Sequence, residues 1–237
     1  MQKIKIGDIS IDVIQKNIKN IHLSVHPPSG RVRISAPSRI NLETLRIYAI
    51  SKIDWIRKQQ RKIRGQERIA ARDYTERESH YYLGKRYLLR IFEQEAKPKV
   101  ILRHETIDLY VRKNSSKLKK RQVLEYWYRD NLRKIATEFL EKWQKVIDIK
   151  ANELRIKRMK TKWGTCNKKA KRIWLNLELA KKPIQCIEYI VVHEIIHLIE
   201  RKHNDIFMFL MNKHFPQWKH IKEELNRFPL SHENWGY

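Results

Sequence analysis

The segment that follows Pro183 constrains the fold more than any other part of the chain. A helix through this segment would be apolar on nearly every side, because it carries a dense run of aliphatic residues: Ile184, Ile187, Ile190, Val191, Val192, Ile195, Ile196, Leu198 and Ile199. Other elements must cover such a helix around its whole circumference. Any polar side chain on it is then buried as well and needs a partner.

The polar side chains of this segment form the pattern H-E-x-x-H at His193, Glu194 and His197. Residues four apart lie one above the other on a helix, so both imidazoles can bind one metal ion. Glu194 would stand beside them, where it can take a proton from a water that the metal activates. The pattern therefore predicts His193 and His197 as zinc ligands and Glu194 as a general base.

A third ligand is predicted at His203, six residues beyond His197. A straight helix would carry His203 away from the ligand face, so we expect the chain to leave the helix around Glu200 to Lys202. Asn204 or Asp205 can then cap a new helix and hold His203 at the corner between the two helices. Three histidine ligands leave a fourth position for water, as a catalytic zinc site requires.

Length and composition are those of a globular protein. The chain has 237 residues, of which 41% are hydrophobic, and this suffices for one large domain or two small ones. The first residues alternate apolar with polar side chains, unlike an export signal, and no apolar run approaches the length of a membrane span. Cys166 and Cys186 are the only cysteines, and we expect both to be reduced. These features predict a cytoplasmic protein with no membrane partner.

The formal net charge of +26 raises the possibility of a nucleic-acid partner. Residues 1–115 carry 25 basic and 12 acidic side chains, and residues 116–237 carry 27 and 14, so each half has a net charge of +13. Basic runs without acidic residues lie at Arg112 to Arg121 and at Arg155 to Arg172. They are either solvated faces or a surface for an anion. The even distribution predicts, at most, weak binding of nucleic acid or polyphosphate without sequence preference.

The first 115 residues predict a β-rich region. Short alternating runs separated by turn residues predict an antiparallel meander within the first 36 residues. The spacing of apolar residues from Leu42 to about Ile63 predicts one helix. A strand pair around Gly84 follows, and then strands near Val100 to Arg103 and Ile107 to Val111. No internal repeat is recognisable in the sequence.

Residues 116–237 are predicted to form the catalytic domain that carries the metal site. An apolar stripe from Lys117 to about Ile147 predicts one long helix. Strands are predicted at Glu153 to Arg158 and at Arg172 to Leu179, and the exposed side of the second strand is a suitable edge for an extended peptide. The expected fold class is α+β, with a β-rich amino-terminal region over residues 1–115.

Several short motifs resemble those of the YgjP-like family of predicted zinc metallohydrolases. They are the sequence K-T-K-W-G-T-C at residues 160–166, the pair Leu175-Asn176, Pro183, and Y-I-V-V-H-E-I-I-H at residues 189–197 followed by His203-Asn204. Thr165 stands where the family usually has serine and keeps the hydroxyl group. The likeness is densest from about Arg155 to Leu225 and extends weakly over the amino-terminal β region.

This resemblance implies a fold as well as a site. The family is related to the SprT-like and WLM zincins, so the resemblance implies a minimal zincin-like half in which a small sheet lies over an active-site helix, with a β-rich amino-terminal extension. By motif match, it implies His193, His197 and His203 as zinc ligands and Glu194 as the general base. It also implies a peptidase activity on peptide or protein substrates.

Three functions are compatible with these patterns. The first is a zinc-dependent hydrolase of peptide bonds, in which activated water attacks the carbonyl carbon. The second is a metal-dependent nucleotide phosphoanhydride hydrolase, in which the basic run from Lys160 to Arg172 holds phosphates. The third is a basic nucleic-acid-binding protein with a structural or vestigial zinc site, in which Trp163 and Trp174 stack on bases. The zinc motif favours the first function.

The residues that bind substrate and stabilise the transition state are not assigned by any motif in the chain. A group for this task must lie near the metal and donate a hydrogen bond or carry positive charge. Each candidate of this kind can equally belong to a helix surface, the core or a solvated face: Lys162, Tyr189, His214, His220 and His232.

Overall fold

The computed structural model describes residues 2–26, 29–64, 72–159 and 162–228. Contacts group the chain into two compact units, one within residues 1–69 and the other within residues 70–231. The sequence pattern placed a boundary at 115/116 instead, where the β-rich region ends. The compact units divide earlier because the strands between residues 79 and 111 share one hydrophobic core with the helices that follow them.

The first unit consists of one sheet and two helices. Its elements are β1 (Gln2–Ile6), β2 (Ile9–Lys16), β3 (His22–His26), β4 (Arg31–Pro37), α1 (Leu42–Ser51) and α2 (Ile53–Arg64). The prediction of an antiparallel meander was wrong, because β4 lies parallel to β2 in the strand order β1-β2-β4-β3. The single predicted helix is broken at Lys52, whose backbone is not helical (φ −110°).

The second unit begins with a sheet of the same topology. Its strands are β5 (Ser79–Tyr82), β6 (Lys85–Glu93), β7 (Lys99–Leu102) and β8 (Thr106–Val111), in the order β5-β6-β8-β7. In both sheets two antiparallel pairs are joined by one parallel pair, β2 with β4 and β6 with β8. The topology is therefore repeated, although no repeat could be recognised in the sequence.

The long helix α3 (Lys117–Ile147) is confirmed with its predicted bounds. The Ser116 side chain accepts a hydrogen bond from the Lys119 amide at its start, and Asp148 ends it in the left-handed conformation (φ 56°). One face of the helix contacts the second sheet, where the Tyr128 hydroxyl donates to the Tyr81 carbonyl (2.9 Å). The helix thus connects this sheet to the elements that form the metal site.

A three-stranded sheet follows α3. It consists of β9 (Glu153–Lys157), β10 (Gly164–Asn167) and β11 (Arg172–Asn176), in the order β10-β11-β9. The prediction of a strand from Arg172 to Leu179 was too long, because residues Leu177–Lys181 form a 3-10 helix. The Asn176 side chain starts this turn by accepting a hydrogen bond from the Glu178 amide, and it also donates to the carbonyls of Met159 and Lys162.

Three helices complete the second unit: α4 (Ile184–Ile199), α5 (Asp205–His214) and α6 (Trp218–Arg227). Pro183 precedes the first turn of α4, as predicted. Most of α4 is buried, against α3, β10, α5 and α6 among other elements. Both cysteines are free, as predicted. Among the described residues, no helix combines the length and apolarity that crossing a membrane requires.

The hairpin between β5 and β6 holds the start of α4 in place. Leu83 and Gly84 both have positive φ angles in the tight turn, 47° and 83°. The Leu83 amide donates to the carbonyl of Ala180 (3.0 Å), and the Gly84 amide donates to that of Lys181 (3.3 Å). A Cβ atom on Gly84 would lie 3.0 Å from Cγ of Pro183. The hairpin therefore needs glycine for both its conformation and this close approach.

We predict that Gly84→Ala lowers the free energy of unfolding of the second unit by more than the roughly 1–2 kcal/mol that a left-handed conformation costs an L-residue. The added methyl group would also lie 3.0 Å from Cγ of Pro183, so the proline must shift by a few tenths of an ångström. Denaturant titration measures the change. Gly7→Ala is the control, because Gly7 has a positive φ (55°) but no described atom within 4 Å of the added Cβ. An equal loss of unfolding free energy in both variants would show that the contact with Pro183 adds nothing to the destabilisation by Gly84→Ala.

Candidate metal centre

Three imidazoles converge at the end of α4. The Nε2 atom of His193 lies 3.1 Å from that of His197 and 3.1 Å from that of His203. One ring nitrogen from each of the three residues lies within 4.8 Å of the other two. The structure therefore brings together all three histidines that the sequence predicted as ligands.

The turn after α4 carries His203 back to the other two histidines. Glu200 ends the helix in an extended conformation (φ −122°), within the segment where the sequence predicted the break. Asn204 then caps α5, since its side chain accepts a hydrogen bond from the amide of Phe207 (3.1 Å). Both predictions are confirmed, and they place His203 at the corner between α4 and α5.

The orientation of His197 is fixed by the backbone. Its Nδ1 atom lies 2.9 Å from the carbonyl oxygen of Glu200, which can only accept a hydrogen bond. The proton of the neutral ring is therefore on Nδ1, and Nε2 keeps a free lone pair directed at the other imidazoles. Burial lowers the pKa of His193 to about 3 and also lowers the pKa values of His197 and His203. Neutral imidazole is the form that binds metal.

Phe207 supports the three imidazoles from one side. It is only 1% exposed, and its ring centroid lies 4.7 Å from those of His197 and His203 and 5.0 Å from that of His193. The ring contributes no ligand atom but restricts all three imidazoles through packing. Phe207 was not among the residues predicted to lie at the site. Its separation of four residues from His203, across a capped helix start, was the signal that it lies beside the site.

The donor set fits zinc. Three neutral imidazole nitrogens are common zinc ligands, with Zn–N distances near 2.0–2.1 Å in a tetrahedral arrangement. Two such nitrogens are then about 3.3 Å apart, close to the two separations of 3.1 Å in this chain. The residues therefore match both the chemistry and the size of a three-histidine zinc site.

Glu194 lies on the same helix and is almost completely buried, at 4% exposure. Its Oε2 atom has no hydrogen-bond partner among the described residues. Burial raises the pKa of Glu194 to about 8, and the nearby Lys162 ammonium opposes this shift. A carboxylate in such an environment is positioned to gain and lose a proton.

The strand β10 passes very close to Glu194. A Cβ atom on Gly164 would lie 2.6 Å from Oε1 of Glu194 and 2.9 Å from Cγ2 of Ile190. Only glycine leaves room for the carboxylate at this position. The sequence analysis recognised Gly164 as part of a motif but did not predict β10 or this contact, because a strand of four residues gives little periodic signal.

A cleft of about 780 Å³ opens in front of the three histidines. Among the candidates for stabilising a transition state, Lys162 and Tyr189 line this cleft. Tyr189 is 3% exposed, and burial raises its pKa well above the ordinary value, so its hydroxyl stays protonated. His214 and His220 do not belong to the cleft lining, and His232 lies outside the described residues.

The strand beside the cleft is β10 and not β11. The predicted peptide edge at Arg172 to Leu179 was wrong, because β11 pairs with β10 on one side and with β9 on the other. Within the described part of the chain, β10 pairs only with β11, so it forms the edge of the sheet. All four residues of β10 line the cleft.

Comparison with solved structures gives partial matches. The crystal structure of the metallopeptidase zymogen of Pyrococcus abyssi abylysin matches with a TM-score of 0.36 and 22% identity, over 38% of this chain and 90% of that chain. The metallopeptidase zymogen of Methanocaldococcus jannaschii jannalysin matches with a TM-score of 0.33 and 24% identity, over 40% of this chain and 92% of that chain. No curated protein matches the sequence.

Comparison with family models gives a match over most of the chain. The model of the YgjP-like metallopeptidase domain aligns with residues 19–228. This range contains β3, β4 and all later strands, the three histidines and Glu194, and it begins after β1 and β2. The chain therefore belongs to the YgjP-like metallopeptidase domain family.

Proposed function

We propose that this chain is a zinc-dependent peptidase with a zincin-like catalytic half. The observation that carries the proposal is the convergence of three imidazole nitrogens beside a buried glutamate, on the floor of an open cleft. Membership of a metallopeptidase domain family supports the same reaction class. In this proposal the three-stranded sheet β10-β11-β9 and the helix α4 form the catalytic half.

The ligands in this proposal are His193, His197 and His203. When bound, zinc supplies a Lewis acid that acidifies water and polarises the carbonyl group of the substrate. The hydrogen bond from Nδ1 of His197 to the Glu200 carbonyl keeps Nε2 of that ring available as a donor atom. Phe207 holds the three rings in place by packing.

In this proposal Glu194 transfers a proton from the attacking water to the leaving amine. Its Oε2 atom has no hydrogen-bond partner among the described residues, so it is available to accept a proton from the attacking water. The same carboxyl group can then pass the proton to the leaving amine, which takes it up as its bond to the carbonyl carbon breaks. Gly164 of β10 packs so closely against this side chain that a Cβ atom there would lie 2.6 Å from Oε1 of Glu194.

The edge of β10 is the surface on which we propose that the peptide lies. An extended peptide adds to an unpaired strand edge through main-chain hydrogen bonds, independent of its sequence. Such an edge beside the three histidines suits the main chain of a peptide, whereas a nucleotide has no backbone amide groups to pair with a strand. This is the reason for preferring a peptidase to a phosphoanhydride hydrolase.

The direct test is hydrolysis. Purified protein loaded with zinc should cleave unstructured protein substrates, and a chelator should abolish the cleavage. A panel of nucleotides should remain intact under the same conditions. Release of phosphate without peptide cleavage would contradict the proposal, and so would peptide cleavage that survives complete removal of metal.

For metal content, we predict one zinc ion per chain. Substitution of His193, His197 or His203 by alanine should weaken zinc binding by more than about tenfold, because even residues that only orient ligands contribute that much. Competition with a chromophoric chelator measures the affinity. His104→Ala is the control, since the His104 side chain is 98% exposed. Full zinc affinity in His203→Ala would remove that residue from the site.

For Glu194→Gln, we predict that zinc affinity is retained while kcat falls by roughly 10²–10⁴-fold. Glutamine keeps the size of the side chain but cannot carry the proton. Steady-state peptide cleavage measures the loss, and Glu223→Gln, an exposed position on α6, serves as the control. Cleavage by Glu194→Gln at the rate of the unsubstituted chain would show that this carboxylate is not the base.

For Gly164→Ala, we predict that kcat falls by about a hundredfold while zinc content stays the same. The added methyl group would displace the Glu194 carboxylate by about 1 Å, and a displacement of this size is enough for such a loss. Zinc content should not change because the three heavy atoms nearest to the added Cβ belong to Glu194 and Ile190 and not to an imidazole. Unchanged turnover would mean that the exact position of Glu194 is unimportant.

A further inference from the structure

The cleft in front of the three histidines is surrounded by positive charge. Five basic side chains belong to its lining: Lys162, Lys168, Lys169, Arg201 and Lys222. Among the described residues of the lining, Glu194 is the only acidic one, and it is buried in the floor. All five basic residues are exposed, so their charges face the solvent from which a substrate arrives.

These charges come from separate parts of the fold. Lys162 precedes β10, and Lys168 and Lys169 lie in the turn between β10 and β11. Arg201 follows α4, and Lys222 lies on α6. Positive charge therefore stands at both ends of the β10 edge and on the opposite wall of the cleft. No single basic helix or tail produces this arrangement.

The basic side chains of the cleft have no paired carboxylate in the described part of the chain. None of the five forms an ion pair with a described residue, although Lys162 interacts electrostatically with Glu194, and Lys168 with Glu200. Lys168 also donates to the carbonyl of Ile199 (2.6 Å), which holds it at the mouth of the cleft.

Other residues of the basic run lie elsewhere. Arg155 and Arg172 pair with Glu153, and Lys157 and Lys171 lie outside the cleft lining. The cleft itself therefore keeps an excess of positive charge.

We propose that the substrates are peptide segments with acidic residues on both sides of the cleaved bond. This inference rests on the proposed peptidase function. A cleft lined by charges of one sign raises the local concentration of ligands of the opposite sign and speeds their association by about 10- to 1,000-fold. The six residue steps from Lys162 to Lys168 span roughly 20 Å in an extended chain, so acidic residues near the two ends of a bound segment of about seven residues would meet these lysines.

Nucleic acid is the other polyanion that a basic cleft could bind. Single-stranded nucleic acid needs aromatic rings on which bases can stack. The Trp174 ring is covered by Arg155 and Lys157, whose charged groups lie 5.3 Å and 4.4 Å from its centroid. Lys182 lies over the Trp163 ring at 5.6 Å. The edge of β10, by contrast, matches the main chain of a peptide, so the structure favours the acidic peptide.

The test uses three quenched fluorescent peptides of equal length with the same central residues and acidic, neutral or basic flanks. With zinc-loaded protein at low salt, we expect kcat/KM for the acidic peptide to exceed that for the neutral one by at least about tenfold. The basic peptide should be the poorest substrate. At 1 M NaCl, where the Debye length is about 3 Å, the three values should converge.

Charge-reversal substitutions test whether the preference for acidic peptides arises from the basic residues of the cleft. Lys169→Glu and Lys222→Glu should each reduce the preference for the acidic peptide while zinc content stays unchanged. Lys113→Glu is the matched control: it changes the net charge equally, and Lys113 is exposed and lies outside the cleft lining. An equal effect of all three substitutions would assign the preference to net charge and overturn the role of the cleft.

Three further outcomes distinguish a failure of the acidic preference from a failure of the proposed peptidase function. Equal kcat/KM values for the three peptides at low salt would overturn the acidic preference and leave the peptidase function intact. Cleavage of none of the peptides and of no unstructured protein would overturn both. Inhibition by a single-stranded oligonucleotide at lower concentration than by a non-cleavable acidic peptide would assign the cleft to nucleic acid and overturn the inference.

Discussion

The structure depends on the burial of α4. This helix is apolar around its circumference, and it is stable only because α3, α5, α6 and β10 cover it. Each fully buried aliphatic side chain contributes roughly 1.5–3 kcal/mol, and α4 contains several. That gain offsets the burial of Glu194 in surroundings that disfavour its charge. Where the covering elements leave a gap, the cleft opens, and His193, Glu194 and His197 of α4 line it.

The helical part of the fold could be predicted because its signals are local. The apolar stripe of α3, Pro183 before α4 and the Asn204 cap of α5 each depend on residues within a few positions of one another. The order of the strands could not be predicted. The parallel pairing of β2 with β4 depends on contacts between distant residues, and alternation along a strand is the same for parallel and antiparallel neighbours. Strand β11 also ended earlier than its alternation indicated, where Asn176 starts a turn.

In the candidate site, too, the features that depend on nearby residues were predictable, and those that depend on distant residues were not. His193, Glu194, His197 and His203 lie within one short segment, and their spacing on a helix and a turn was sufficient to predict that they meet. The environment of Glu194 was not predictable, since Gly164 comes from a strand that lies far before α4 in the sequence. The role of the basic run was predictable only in part. Its composition indicated an anionic partner, but the fold decides which of its charges are paired and which face the cleft.

The closeness of the three histidines in sequence also has a consequence for the proposed zinc site. An unfolded chain keeps the same imidazoles within residues 193–203, and closing so short a loop costs little entropy. In this proposal zinc would already bind the unfolded chain, and it would then stabilise the native state by less than its native affinity suggests. The contact between Glu194 and Gly164 forms only when β10 docks on α4. A newly synthesised chain would thus bind metal early and still lack a correctly placed Glu194, the proposed base, until folding is complete.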